Sequence, residues 1–232
     1  MISVFRKRPD QNTWLIFAIV ALFLYGSFRE KSEEEPLAKT PNILLLVADD
    51  LGYADLGCYG GDIETPNIDQ LSNTGLRFSR FHTAPYCAPS RAMLLSGNDN
   101  HIAGMGSQDL VTDEFGYEGG LSDRIATLPQ VLRNAGYQTY IAGKWHLGFK
   151  PENNPQQKGF DRSFVNLYGE GTHYNNQGWN EENPYTRYTE NGKSAKWKKG
   201  KYSTDLYTDK LIQFIEFDRE GKKPFFAMAS YT

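Results

Sequence analysis

The segment Cys87-Ala88-Pro89-Ser90-Arg91 places a nucleophile, a helix-starting residue and a cation within about one helical turn. Proline is favoured at the first position of a helix, so Pro89 predicts a helix that begins at residue 88 or 89 and runs to Ser96. Cys87 then lies at the helix N-terminus, where backbone N–H groups and the helix dipole favour negative charge. Arg91 follows one turn later and is expected to reach back toward residue 87. From these residues alone, the alternative is a buried free cysteine followed by a surface arginine.

Asp49 and Asp50 follow a continuous apolar run from Asn42 to Ala48, which has the length of a strand buried on both faces of a parallel sheet. In open α/β sheets, ligands gather beyond the carboxyl ends of the strands, which is where these carboxylates lie. A hard divalent cation prefers oxygen ligands, and two adjacent carboxylates can supply two of them. We therefore predict a calcium site here; a turn with two solvated acids is the alternative.

Lys144 and His146 follow another predicted strand and lie two residues apart. On an extended segment, both side chains point to the same side, so we expect them to face one site. The alternative for His146 is a structural histidine whose hydrogen bonds are satisfied.

Helices and strands alternate along the rest of the chain, with turn and capping residues between them. The predicted helices are 65–75, 88–96, 127–136, where Thr127 and Gln130 form a capping box, and one capped by Ser203 or Thr204. The predicted strands are 42–48, 76–83, 137–142 and 225–231. This pattern predicts an α/β fold with a mostly parallel central sheet flanked by helices. Residues 150–200 lack clear periodicity and are predicted to form long surface loops, which often carry substrate selectivity.

Three motifs together resemble the type I sulfatase (arylsulfatase) family of the alkaline-phosphatase-like superfamily. They are Cys-x-Pro-Ser-Arg at residues 87–91, the run from Pro41 to Gly52, and Gly-Lys-Trp-His-Leu-Gly at residues 143–148. The resemblance extends from about Pro41 to Thr232 and implies the N-terminal portion of that fold, incomplete at the C-terminus. The family's Asp-Asn metal pair, later lysine and leaving-group histidine have no counterpart in these residues.

The resemblance implies a sulfuric ester hydrolase in which a maturation enzyme oxidises Cys87 to formylglycine. One hydroxyl of the formylglycine hydrate attacks the sulfate ester beside one bound calcium ion, and the other loses its proton so that sulfate is released. The calcium ligands are then the two adjacent carboxylates described above and the oxygen at position 87. Arg91 fixes the hydrate or a sulfate oxygen, Lys144 neutralises the sulfate, and His146 takes the proton.

A sulfated small molecule or sulfated glycan is the substrate that this resemblance implies. Formylglycine also serves phosphonate monoester hydrolases that share the Cys-x-Pro-Ser-Arg signature, so a phosphonate or phosphate ester hydrolase is one alternative. An inactive truncated sulfatase is the other.

Residues 1–28 have the pattern of an export signal, with Arg6-Lys7-Arg8 before an unbroken apolar stretch from Trp14 to Tyr25. This stretch is shorter than the ~20 residues that span a bilayer, which favours a signal peptide over an uncleaved membrane anchor. Residues 29–40 are predicted to be a polar tether, and residues 41–232 the N-terminal part of the catalytic domain. The site is thus expected outside the cytoplasm, in a periplasmic, secreted or membrane-anchored protein.

The composition is that of a globular protein, with 39% hydrophobic residues and a net charge of −3 over 232 residues. This charge argues against a general nucleic-acid-binding protein, which concentrates Lys and Arg to neutralise phosphates. Two cysteines in an exported chain often pair, which suggests a Cys58–Cys87 disulfide, whereas the resemblance implies that Cys87 is unpaired.

Other polar residues carry weaker functional signals. His82 and His101 are predicted to pack or hydrogen-bond, and His173 is predicted to lie on the surface. The lysines between residues 193 and 201 are predicted to form a solvated loop, with guidance of an anionic polysaccharide as the alternative.

Overall fold

The computed structural model describes residues 40–108, 110–178, 181, 184–221 and 223–232. The predicted export segment 1–28 and all but the last residue of the predicted tether lie outside the described residues. Within the described part, no helix has both the length and the apolarity that a membrane crossing requires. The elements below all belong to the unit Pro41–Thr232.

Six strands of the described residues pair into one sheet. Their bounds are β1 Ile43–Val47, β2 Gln138–Lys144, β3 Arg162–Asn166, β4 Tyr188–Glu190, β5 Lys193–Ala195 and β6 Phe225–Ser230. The order across the sheet is β1-β6-β2-β3-β4-β5. The first four strands in this order are parallel, and β4 and β5 extend the sheet antiparallel. The predicted mostly parallel sheet is confirmed.

Four α-helices of the described residues begin and end close to the predicted positions. They are α1 Pro66–Thr74, α2 Cys87–Ser96, α3 Leu128–Asn134 and α4 Ser203–Phe217. The capping box is confirmed, because the Thr127 N–H donates to Gln130 Oε1 at 2.9 Å and the Gln130 N–H donates to Thr127 Oγ1 at 3.4 Å. The predicted cap of α4 is wrong: Tyr202 is the N-cap, and the hydroxyl of Ser203 is bound instead to His173 Nδ1 at 2.6 Å.

The helices cover both faces of the sheet and bury two apolar layers. On one face, Ala88 and Ala92 of α2 pack with Trp145, and the Trp145 indole N–H donates to the Asn153 carbonyl at 2.9 Å. On the other face, Leu211 and other apolar side chains of α4 pack with the sheet. The predicted helix-flanked α/β architecture is therefore confirmed.

The predicted strand at 76–83 is wrong. Its apolar residues Leu76, Phe78 and Phe81 are 88%, 64% and 72% exposed, and the segment is irregular. Alternation of apolar and polar residues supplies one face for burial but no partner for the backbone N–H and C=O groups. No other strand of the described residues pairs with this segment.

The prediction of loops over residues 150–200 is wrong in part, because β3, β4 and β5 lie in this range. In β3 the buried polar residues Ser163 and Asn166 interrupt the apolar pattern and hide the strand. The β4–β5 hairpin did have a sequence signal, since Asn191 and Gly192 turn with φ of 50° and 77°. Asn-Gly is the most favoured pair for such a two-residue hairpin turn.

β1 is also less buried than its sequence predicts. It lies at one edge of the sheet, and its burial alternates, with Leu44 and Leu46 56% and 52% exposed. Although the sequence of β1 is entirely apolar, the strand is therefore not buried on both faces by the described residues.

Asp218, directly after α4, ties this helix to two strands. Its carboxylate accepts hydrogen bonds from Arg162 Nε at 2.8 Å, Arg162 Nη2 at 3.2 Å and the Tyr140 hydroxyl at 2.9 Å. The hydrogen bonds from Arg162 lower the pKa of Asp218 below its usual 3.8 and outweigh the opposing effect of burial.

We predict that Asp218→Asn lowers the free energy of unfolding at neutral pH by about 1–2 kcal/mol, because Arg162 loses its charged partner. Since folding lowers the pKa of Asp218, its contribution is present above 3.8 and is lost as the pH falls through the lower, folded-state pKa. Urea unfolding of the wild-type protein and the Asp218→Asn variant from about pH 7 to about pH 3 checks this expectation. The stability difference should shrink at the acid end; a constant difference would contradict the prediction. The matched control, exposed Asp62→Asn, should change stability by less than about 0.5 kcal/mol.

Candidate functional site

Three strand and helix ends bring the sequence-predicted residues together. Cys87 is the first residue of α2, Lys144 is the last residue of β2, and Asp49 follows β1. Cys87 Sγ lies 3.3 Å from Lys144 Nζ and 3.3 Å from His146 Nδ1. All of these positions are at the carboxyl edge of the parallel strands, where α/β proteins place their sites.

Asp49 joins the cationic side chains beneath Cys87. One carboxylate oxygen accepts from Lys144 Nζ, and the other accepts from Arg91 Nη2 at 3.1 Å. Only 3% of the Lys144 side chain and 4% of the Arg91 side chain are exposed. Buried cations are costly unless they are paired, so Asp49 stabilises both of them in place.

Arg91 does not make the expected contact with residue 87 and binds other groups instead. Besides Asp49, its guanidinium donates to the Lys144 carbonyl at 3.3 Å and to the hydroxyl of Ser230. The Ser230 hydroxyl in turn donates to the same Lys144 carbonyl at 2.7 Å. Arg91 therefore ties α2 to the ends of β2 and β6. The buried Arg91 Nε has no hydrogen-bond partner within the described part of the chain.

The charges of the site hold Asp49 ionised and His146 neutral. Burial by itself raises the pKa of Asp49, but hydrogen bonds and charges from Lys144 and Arg91 outweigh it, so the pKa lies below 3.8. Burial, followed by the charges of Lys144 and Arg91, lowers the pKa of His146 to about 4, and Asp49 only partly opposes them. A neutral imidazole beside Cys87 is a proton acceptor at neutral pH.

Asp50 is exposed and adopts a left-handed conformation with φ of 53°. Asp49 and Asp50 are hard oxygen donors of the kind that calcium prefers, and each carboxylate oxygen of Asp49 retains a further lone pair. The donor chemistry therefore fits the predicted cation. The described residues do not complete its coordination, since they contain no cluster of three or more His, Cys, Asp or Glu side chains arranged to hold a metal.

The backbone turns sharply around Lys144 and His146, contrary to the extended segment that we predicted. His146 has φ of 54° and Gly143 has φ of 118°. A Cβ at position 143 would lie 1.8 Å from the Ser230 carbonyl oxygen, so only glycine lets β2 approach β6 this closely. Gly169 packs in the same way on the His146 ring, where a Cβ would lie 2.3 Å from Nδ1.

Sequence reasoning missed three residues around the site. Gln108 Oε1 accepts a hydrogen bond from Cys87 Sγ at 3.1 Å, but it lies in an irregular loop and belongs to no motif that we recognised. Gly169 also lacked a signal. Ser230 had one, because it is the polar residue at the carboxyl end of the apolar run Phe225 to Ala229.

Both cysteines, Cys58 and Cys87, are free, so the structure contains no disulfide between them. His101 has a structural position as predicted, with Nε2 3.3 Å from the Tyr117 hydroxyl. His82 is exposed rather than packed. Of the lysine-rich segment, Lys201 forms an ion pair with Asp209 at 2.7 Å.

We predict that Asp49→Asn lowers the free energy of unfolding by about 2–4 kcal/mol, because it leaves two buried cations without a charged partner. Asp50→Asn is the matched control, since it changes the adjacent, exposed carboxylate; it should change stability by less than about 0.5 kcal/mol. Urea unfolding in the presence of a chelator measures both variants free of metal effects. Equal losses in the two variants would contradict the ion-pair role of Asp49.

Comparison with known proteins places this arrangement in a family. A family model described as Sulfatase matches residues 41–232. An uncharacterized sulfatase of Schizosaccharomyces pombe is 43% identical over 210 residues, which cover 84% of this chain and 38% of that protein. An arylsulfatase of Klebsiella aerogenes is 36% identical over 226 residues, 95% of this chain and 47% of that protein. The chain thus spans less than half the length of these curated relatives.

Solved structures agree with the sequence comparison. The crystal structure of Ps i-CgsB in complex with k-i-k-neocarrahexaose has a TM-score of 0.71 and 35% identity, over 83% of this chain and 45% of that one. The structure of BT4656 with its substrate D-glucosamine-2-N,6-O-disulfate has a TM-score of 0.65 and 34% identity, over 83% of this chain and 34% of that one. From the family match and this fold, we conclude that the chain belongs to the sulfatase family.

Proposed function

We propose that this protein is a sulfate ester hydrolase whose reaction takes place at residue 87. The observation that carries the proposal is the position of Cys87 Sγ, 3.3 Å from both the Lys144 ammonium and the His146 imidazole at the N-terminus of α2. An anion bound there meets a buried cation, a helix N-terminus and a neutral base in one place. The names of the relatives, arylsulfatase among them, support the same reaction class.

In the proposed enzyme, Cys87 is converted to formylglycine by a maturation enzyme. When hydrated, this group supplies two hydroxyls on one carbon, one as nucleophile and one for release of sulfate. Lys144 then places its charge beside the sulfate oxygens, and the neutral His146 accepts a proton at Nδ1. Arg91 holds Asp49 and the end of β2, and thereby positions Lys144.

Calcium is the proposed cation, and Asp49 and Asp50 are its proposed ligands from this chain, together with the oxygen at position 87. A bound divalent cation polarises sulfate oxygens and assists ionisation of the attacking hydroxyl. The exposed side chain of Asp50 is open for such binding, whereas Asp49 shares its oxygens with Lys144 and Arg91.

Sulfated sugars are the proposed substrate class. Two of the similar structures hold a neocarrahexaose and a D-glucosamine disulfate. The proposed location of the enzyme is outside the cytoplasm, on the basis of the apolar stretch from Trp14 to Tyr25.

We predict that Cys87→Ala abolishes hydrolysis of 4-nitrophenyl sulfate by the natively expressed protein, because no other residue can replace the proposed nucleophile. Cys58→Ala is the matched control, since Cys58 is the other free cysteine, and it should retain most activity. Parallel assays with an aryl phosphonate monoester separate the two reaction classes. Turnover of the sulfate ester by Cys87→Ala, or a preference for the phosphonate, would refute the proposal.

We predict that a chelator lowers this activity and that added calcium restores it. Asp50→Asn should raise the calcium concentration needed for half-maximal activity by about tenfold, because it removes one charged ligand. Asp62→Asn, an exposed carboxylate on another segment, is the control and should leave the calcium dependence unchanged. An enzyme that is indifferent to the chelator would exclude the metal role of Asp49 and Asp50.

A further inference from the structure

Gln108 is the third polar side chain in contact with the sulfur of Cys87, and it lies closer than the other two. Its Oε1 is 3.1 Å from Sγ, compared with 3.3 Å for Lys144 Nζ and His146 Nδ1. The side chain is partly buried. It reaches the site from the loop that follows α2, an element from which sequence analysis predicted no site residue.

The segment just before Gln108 is anchored in the fold. Before it, the Gly106 N–H donates to the Gly116 carbonyl at 2.6 Å, and Met105 is buried in the core. Across Gln108 itself, the Leu110 N–H donates to Ser107 Oγ at 3.2 Å, within the same loop. A group held in this way can orient a partner without first losing its own freedom.

Gln108 supplies a hydrogen-bond acceptor next to residue 87, where acceptors are few. The sulfur marks where one of the two oxygens of a formylglycine hydrate would lie, and a hydrate has two hydroxyl hydrogens that each need an acceptor. The ammonium of Lys144 can only donate. The imidazole of His146 offers at most one acceptor nitrogen, and the side-chain contacts of Asp49 are with Lys144 and Arg91 and not with Cys87. The amide oxygen of Gln108 is therefore the second acceptor that faces this position among the described residues.

We propose that Gln108 is a catalytic residue that accepts a hydrogen bond from one hydroxyl of the formylglycine hydrate and so stabilises the hydrate against the free aldehyde. The inference rests on the proposed function, since it requires formylglycine at position 87. Hydration adds one water: its oxygen forms a bond to the aldehyde carbon, and its proton passes to the carbonyl oxygen. Loss of the acceptor shifts this equilibrium back toward aldehyde and water, and it also leaves the hydroxyl less well oriented for attack.

Three variants separate this role from a structural one. Gln108→Met keeps the length of the side chain and removes the strong acceptor. Gln108→Glu keeps an acceptor of the same shape and adds a charge. Gln70→Met makes the first change on the exposed face of α1, away from the site, and serves as the control.

The main readout is independent of turnover: the rate at which an aminooxy probe, which reacts with the free aldehyde, labels residue 87 in the matured protein. We expect labelling of Gln108→Met to be about fivefold faster than wild type, the size of effect for one hydrogen bond. Gln108→Glu and Gln70→Met should be labelled no faster than wild type.

In parallel, kcat for 4-nitrophenyl sulfate should fall by about fivefold in Gln108→Met with KM unchanged. In Gln108→Glu, kcat should be retained and KM raised, because the added charge repels the anionic substrate.

Peptide mass spectrometry across residue 87 precedes these measurements and tests the proposed function by itself. An ordinary thiol in the wild-type protein would overturn both proposals. If formylglycine is present and Gln108→Met labels and turns over like wild type, the role of Gln108 is overturned while the proposed function stands. If Gln108→Glu is labelled as fast as Gln108→Met, the proposed hydrogen bond from the hydrate to residue 108 is overturned.

Discussion

The ion pairs of Asp49 with Lys144 and Arg91 are the constraint on which the rest of the site depends. They join three separate elements, the end of β1, the end of β2 and helix α2, at one buried point. Without the carboxylate, two cations in a nearly dry environment would repel each other, and desolvation would favour their displacement toward water. With it, the ammonium of Lys144 is held where it also reaches the sulfur of Cys87.

The same ion pairs explain the electrostatic character of the site. Arg91 and Lys144 bring two positive charges, Asp49 brings one negative charge, and burial together with the cations keeps His146 neutral. The buried cluster of Arg91, Lys144 and Asp49 has one surplus positive charge, although the whole chain has a net charge of −3 and the adjacent Asp50, which is exposed, is negative. An anion at Cys87 would therefore meet the charge of this buried cluster and not that of the protein as a whole.

Sequence analysis predicted most of the elements that position the site because their signals are local. Pro89 predicted the start of α2 to within two residues, since the helix begins at Cys87. The Thr127 capping box predicted α3, and the apolar runs before Asp49 and Lys144 predicted β1 and β2. The features that it missed depend on contacts between distant segments. Pairing partners decide whether an alternating run such as 76–83 becomes a strand, and the contact between Gln108 and Cys87 spans 21 residues of chain. Arg91 was placed correctly on α2, but its partner Ser230 lies 139 residues away.

Gly143 shows how a residue without functional chemistry can control this site. Its hydrogen side chain lets β2 lie against the Ser230 carbonyl. Lys144 comes directly after this close approach, and its carbonyl accepts a hydrogen bond from Arg91 of α2. A bulkier side chain would separate two central strands at the point from which the lysine extends. A substitution at position 143 would thus displace Lys144 and disturb its contacts, although glycine contributes no functional group of its own to the site.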